Sequence, residues 1–176
     1  GRYHFVNEGE EAGVELVSSK QQVSKMRYYT GIEPGKFTIL VSDDGNEYKQ
    51  ATEFTTTSSF AWEDLEMDLE FKYIKFVAQA PETYLGDVQF YNKYGEKILV
   101  KATDEQSKVL TDELDLVPIR ISYLNSSYFD EIYFARSAYE YVHGMNAMEW
   151  VHPPLGKLLM ALPILLFGFS PFTYND

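Results

Sequence analysis

Lys36-Phe37-Thr38-Ile39-Leu40-Val41-Ser42-Asp43-Asp44-Gly45-Asn46 decides the fold. Phe37, Ile39 and Val41 fall on one face of an extended chain, at a period of two. Asp43-Asp44-Gly45-Asn46 then breaks the alternation, because Gly and Asn tolerate positive φ. An alternating run closed by a turn of this kind reads as a half-buried strand. The same grammar continues on both sides. Upstream lie Val14, Leu16 and the run Val23 to Thr30, followed by the turn Glu33-Pro34-Gly35, in which Pro presets φ. Downstream, Trp62, Leu65, Met67, Leu69 and Phe71 keep largely to period two, and Ile74, Phe76 and Ala78 oppose Tyr73, Lys75 and Val77. Leu85, Val88 and Phe90 form another apolar set, and Asn92-Lys93-Tyr94-Gly95 turns into Lys97 to Lys101. No segment between these runs has the helical period that a parallel crossover needs. The pattern therefore predicts a mainly β protein, an antiparallel sandwich or jelly roll.

The chain has 176 residues, 45% hydrophobic and 16% aromatic. That supports a packed core and leaves room for one domain with an appendage, or two small ones. A net charge of -12 argues against nucleic acid as a partner, since phosphate neutralisation needs a basic face. The charge is uneven: only 3 of the 15 Lys/Arg and 5 of the 27 Asp/Glu lie from Pro118 onward. There is no cysteine, hence no disulfide framework and no thiolate metal site. The chain opens on Gly1 without an initiator Met and reads as an excised piece of a longer protein. Residues 102–126 read as a polar connector limited by Pro118, with Asn125-Ser126-Ser127 as turn chemistry although it has the spacing of a glycosylation sequon. The expected division is a sandwich over residues 1–117 and a segment with two helices over 118–176.

Glu131 to His143 carries an apolar stripe, Ile132, Ala135, Tyr139 and Val142, as an amphipathic helix does. Ser126 or Ser127 can cap its start, Asp130 and Glu131 suit its positive end, and Gly144 stands where a helix C′ residue belongs. Helix capping alone accounts for the two acids. Pro153-Pro154 then sets the first turn of a second helix. Leu155 to Phe169 is about 15 mostly apolar residues, short of the roughly 20 that span a bilayer. Pro163 lies inside it. The run predicts an interfacial or buried helix, and Lys157 with Trp150, Phe167, Phe169 and Phe172 suits a membrane surface. Packing against the protein itself accounts for the run equally well.

Met26-Arg27-Tyr28-Tyr29-Thr30-Gly31, Phe37 to Gly45, Phe71-Lys72-Tyr73-Ile74-Lys75-Phe76 and Leu85 to Tyr91 followed by Gly95 resemble, in order and spacing, the discoidin or coagulation-factor type C module. The resemblance implies a galactose-binding-like antiparallel β-sandwich followed here by two C-terminal helices. Such modules bind sugars, other glycans or lipid head groups through loops at one end. Trp62, Tyr28 and Tyr73 are read as core or face-packing residues rather than sugar platforms, so no carbohydrate-binding residue is assigned. Asp43 and Asp44 are read as turn-formers rather than ligands of the structural calcium that some relatives carry.

Tyr128-Phe129-Asp130-Glu131-Ile132-Tyr133 with Ala135-Arg136 and Ala138-Tyr139-Glu140, then Glu149-Trp150-Val151-His152-Pro153-Pro154-Leu155-Gly156-Lys157, resemble the first large external loop of the protein O-mannosyltransferase family. These are polytopic enzymes of the GT-C architecture. The resemblance implies transfer of mannose, with inversion, from a polyprenyl-phosphate mannose donor to a Ser or Thr hydroxyl on the extracytoplasmic face of a membrane. A hydroxyl needs a carboxylate to take its proton. By resemblance Asp130 is that base, with Glu131 supporting it or holding the acceptor. The lipid-phosphate leaving group needs cations and donors, and Arg136, His152 and Lys157 lie in the matching motifs. A cap-like residue and a snorkelling lysine remain the alternatives for His152 and Lys157. The implied partners are the lipid surface, the lipid-linked donor and an acceptor protein or glycan. A glycan- or acceptor-binding module without catalysis, or a structural spacer, is the competing reading.

Overall fold

The Lys36–Ser42 strand, β4, lies between β7 (Tyr73–Ala78) and β5 (Lys49–Thr55) in an antiparallel sheet. The full order is β10 (Val100–Ala102), β2 (Glu11–Leu16), β7, β4 and β5. The facing sheet runs β1 (Arg2–Phe5), β8 (Thr83–Tyr91), β3 (Gln21–Thr30) and β6 (Trp62–Phe71), and β9 (Lys97–Ile98) also pairs with β8. In this computed structural model the described residues are 1–122, 130–146 and 154–167, with backbone alone described for 130–132, 154 and 167.

Two sheets with alternating inward residues are the expected sandwich. Phe37 pairs with Phe54 on one side and Ala78 on the other, and Ile39 with Thr52 and Phe76. Phe37, Ile39, Ile74, Phe76 and Ala78 are buried while Thr38, Lys75 and Val77 are half-buried. Aromatic rings fill the interior, the first pair across the two layers and the next two within one sheet each. Phe5 meets Phe37 edge-on at 5.3 Å, Phe37 stacks on Phe54 at 5.3 Å, and Phe71 meets Phe90 edge-on at 5.6 Å. Such ring pairs contribute about 0.5–1.5 kcal/mol each beyond the area they bury.

Three features differ from the sequence reading. Arg2–Phe5 is a strand, although Tyr3 and Phe5 are its only two inward residues. Lys97 to Lys101 is not one strand: the chain leaves β8 at Ile98 and joins β2 at Val100, with Leu99 exposed at the corner. Much of the expected connector belongs to the sandwich. Short 3-10 turns at Gln106–Leu110 and Leu114–Leu116 lay Leu110 into the core, and the buried Ser107 hydroxyl accepts the Gly13 N–H at 2.9 Å. Its polar letters hid the one deep apolar residue of the first turn, Leu110. The Pro118 carbonyl is held by the Arg27 guanidinium, whose other side grips Asp64 through two bonds of 2.6 and 2.7 Å. Asn125-Ser126-Ser127 lies outside the described residues.

The turns form where Gly and Asn placed them. Gly45 and Gly95 have φ of +79 and +78. The Asn92 side-chain oxygen accepts the N–H groups of Tyr94 and Glu96 at 2.9 and 3.0 Å. At the β4–β5 turn, Asp44 Oδ1 accepts the N–H groups of Asn46 and Glu47 at 2.8 and 3.1 Å and the Ser42 hydroxyl at 3.0 Å. These donors, the backbone ones first, hold the Asp44 carboxyl down at about 2. A depressed carboxylate supports the turn above the ordinary carboxylate range and loses that support as pH falls through its folded value. The Asn46 and Glu47 amide resonances are therefore expected to titrate with a midpoint near 2. A midpoint at the ordinary value for an aspartate would remove the turn's three-donor geometry.

The chain divides into two compact units, Gly1–Ile119 and Arg120–Asp176. In the second, the described elements are α1 (Asp130–Val142) and α2 (Pro154–Phe167). Both lie within two residues of the bounds read from the sequence. α1 ends as Gly144 implied: Gly144 has φ +67, its N–H reaches the Tyr141 carbonyl at 3.3 Å, and the Met145 N–H reaches that of Glu140 at 2.8 Å. This is the Schellman arrangement, which satisfies carbonyls a helix end otherwise leaves open.

Candidate functional site

Asp130 is the first residue of α1 and Glu131 the second, so their backbones occupy the turn where exposed N–H groups favour an anion. Their side chains lie outside the described residues, as does all of His152. One helical turn further on the picture is sharper. Arg136 and Glu140, four residues apart, are both buried, and Arg136 Nε donates to Glu140 Oε1 at 2.9 Å. An ion pair this dry is sustained only while both partners are present, because each charge alone would be stranded away from water. Ser137 and Ala138 are fully buried beside it. The sequence stripe therefore caught Ala135 but missed the polar members of the buried face, Arg136, Ser137 and Glu140.

α2 packs against α1 through Ala161 and Ile164, which meet Ala138 with Val142 and Met160 alongside. Lys157 lies on the same face, four residues before Ala161, and its exposure is 0%. It is engaged rather than free. The alternative of a lysine snorkelling to water is thus wrong for this structure: its head is inside the unit, where an ammonium persists only with polar company. Arg136 and Lys157, read separately as cations for a lipid phosphate, are both interior groups of one helix pair.

The opposite face of α2 is bare. Leu155, Leu158, Leu159, Leu162, Leu165 and Leu166 are 50–67% exposed. No charged side chain interrupts them, since Lys157 points the other way. The helix is about 21 Å long at 1.5 Å per residue, against roughly 30 Å of bilayer hydrocarbon. Among the described residues no helix is long and apolar enough to cross a membrane.

On the sandwich, aromatic side chains gather on the outer face of the β1–β8–β3–β6 sheet. His4 stacks on Tyr84 at 4.4 Å and Tyr29 lies against Trp62 at 5.2 Å. Gly31 and Gly86 make room for them; a Cβ at Gly31 would stand 2.1 Å from that of Tyr84. The nearby loops carry left-handed non-glycine residues, Phe60 at φ 51 and Glu82 at φ 57, conformations that cost energy and are retained where the surroundings enforce them. Tyr28, read with Trp62 as a packing residue, is core, and burial raises its hydroxyl pKa. A cavity of about 430 Å³ at the edge between β5 and β6 is lined by Tyr28, Glu53, Thr57, Glu63 and Asp64. Its acids are already committed: Glu63 accepts from Thr57, Ser58 and Tyr28, Asp64 pairs with Arg27, and Glu53 pairs with Lys36. This slot holds the fold rather than a ligand.

A calcium ion would need about six to eight oxygens. Asp44 Oδ1 is spent on its turn, as expected of a turn-former, and Asp43 pairs with Lys20 at 2.8 Å. The carboxylates of Asp87, Asp112 and Glu113 converge elsewhere, their oxygens within 4.8 Å of one another.

With this geometry in hand, comparison with known proteins separates the two units. The family model for dolichyl-phosphate-mannose-protein mannosyltransferase matches residues 117–175, about a third of the chain. No curated protein matches the chain. Similar solved structures are carbohydrate-binding modules. One is the CBM32 module of AlyQ in complex with 4,5-unsaturated mannuronic acid, at 14% identity and a TM-score of 0.46, covering 52% of this chain and 77% of that one. Another is a CBM32 module from Clostridium perfringens in complex with GalNAc-β-1,3-galactose, at 17% identity and a TM-score of 0.40, covering 48% and 68%. A third is chitosan-binding module 1 of a chitosanase/glucanase from Paenibacillus sp. IK-5, at 19% identity and 0.36, covering 52% and 76%. The C-terminal third thus resembles a protein mannosyltransferase.

Proposed function

We propose that this chain is an extracytoplasmic portion of a membrane protein mannosyltransferase, with a glycan-binding sandwich preceding its first catalytic loop. The observation that carries the reading is the family match over residues 117–175, which encloses every residue assigned a chemical role. In this reading Asp130, at the start of α1, takes the proton of a Ser or Thr hydroxyl as it attacks the sugar carbon, and the polyprenyl phosphate leaves with inversion. Glu131 supports the base or the acceptor. His152, Lys157 and Arg136 provide the positive surroundings in which phosphate charge develops.

The bare leucine face supports a lipid surface as partner. A helix apolar on its outer side and too short to span lies in the interface with that side toward the acyl chains. Replacing Leu158 and Leu162 by Ser is expected to weaken binding of the chain to lipid vesicles by about tenfold per leucine, read by co-sedimentation. Unchanged co-sedimentation would place that face against protein instead.

The functional test is mannose transfer. Membranes holding the full-length parent should move mannose from polyprenyl-phosphate mannose to a Ser/Thr peptide, and the 176-residue chain alone should not. Turnover by the chain alone, or none by a folded parent, would refute the reading.

A further inference from the structure

We propose that the outer face of the β10–β2–β7 sheet is a binding site for a neutral saccharide. The site is a cavity of about 390 Å³ lined by Glu15, Asp44, Tyr48, Tyr73, Lys101 and Thr103. The strand register builds it. Lys101 stands opposite Glu15, and Glu15 opposite Tyr73, so three adjacent strands present a cation, an acid and a phenol in one row. The β4–β5 turn closes over the end of that row. Gly45, at φ +79, lies against the Tyr73 ring, where even a Cβ would come within 3.4 Å. The same turn leads into Tyr48, whose ring is covered by Lys75 Nζ at 4.5 Å from its centroid.

The polar groups are set in advance. Glu15 is paired with the Lys101 ammonium, which holds its carboxyl below the usual range. Asp44 is fixed by its turn donors on Oδ1, and a carboxylate still has acceptor sites to spare. The lining thus offers anchored acceptors, an ammonium and a Thr hydroxyl as donors, and two phenol rings as flat walls. Vicinal sugar hydroxyls, which donate and accept at once, fit this set, and the half-apolar ring of a sugar fits the phenol walls. Lys101 faces Glu15 and Asp44, and Lys72 and Lys75 stand over the Tyr73 and Tyr48 rings with Lys75 paired to Glu11, so the surroundings are near neutral and give an ionised sugar no special hold. A metal ion is disfavoured too, because the converging carboxylates among the described residues are Asp87, Asp112 and Glu113, not these.

The proposal rests on the glycan-binding reading of the sandwich, and one experiment separates them. The 176-residue chain is titrated by calorimetry with neutral oligosaccharides of mannose, glucose, galactose and N-acetylglucosamine, beside an oligouronate. Saturable binding of a neutral sugar is expected. It should weaken at least about tenfold in Tyr48→Ala and in Lys101→Ala, both surface changes, and persist in Trp62→Ala on the other sheet. Binding lost in Trp62→Ala but kept in Tyr48→Ala and Lys101→Ala would overturn this site and leave the glycan reading standing. Preference for the oligouronate would overturn the neutral assignment. No binding of any sugar would overturn both.

Discussion

Asp130→Asn in the intact parent enzyme is expected to lower mannosyl transfer by about 10²–10⁴-fold, the usual worth of a general base. Asn has almost the same shape, and it caps a helix start as well as Asp does. Circular dichroism and membrane association should therefore be unchanged. What Asn cannot do is take a proton from a hydroxyl. Glu131→Gln should cost less, because it removes a supporting group. Transfer of labelled mannose to a Ser/Thr peptide reads both variants. Full activity in Asp130→Asn would leave the acid pair as helix capping and nothing more.

Glu140→Ala is expected to cost up to about 3–5 kcal/mol, because it removes a carboxylate partner of the buried Arg136 guanidinium. The loss should appear as faster hydrogen exchange along α1 and a lower melting temperature of the helical unit. Glu140→Gln keeps an acceptor for Arg136 Nε and should cost less. Wild-type stability in Glu140→Ala would mean that the pair contributes nothing to the helix pair. The same variant probes function: if Arg136 serves the donor phosphate, losing its partner should change KM for the lipid-linked donor more than the folded fraction explains.

The sandwich was legible because its core is written at period two. Phe37, Ile39, Ile74, Phe76 and Ala78 alternate with half-buried neighbours, and the Gly45 and Gly95 turns have the positive φ that only their letters allow cheaply. Arg2–Phe5 escaped because a four-residue strand offers too few alternations. The 3-10 turns escaped because Val109-Leu110 and Leu114 are brief apolar breaks among polar residues, and the burial of Leu110 depends on the sheets beneath. In the helical unit, element bounds and the Gly144 cap followed from local chemistry. The burial of Arg136, Glu140 and Lys157 did not, since a helical wheel sorts charges outward and only the partner helix brings them in. The roles of Asp130, Glu131 and His152 are those the motif resemblance implies, and their side chains lie outside the described residues.

Photo-crosslinking of the parent with a light-activated polyprenyl-phosphate mannose analogue would map the donor site directly. Label is expected on the stretch from Asp130 to Lys157, and unlabelled polyprenyl-phosphate mannose should compete it away. Label confined to the sandwich, or insensitive to that competitor, would contradict the assignment of this stretch to mannosyl transfer.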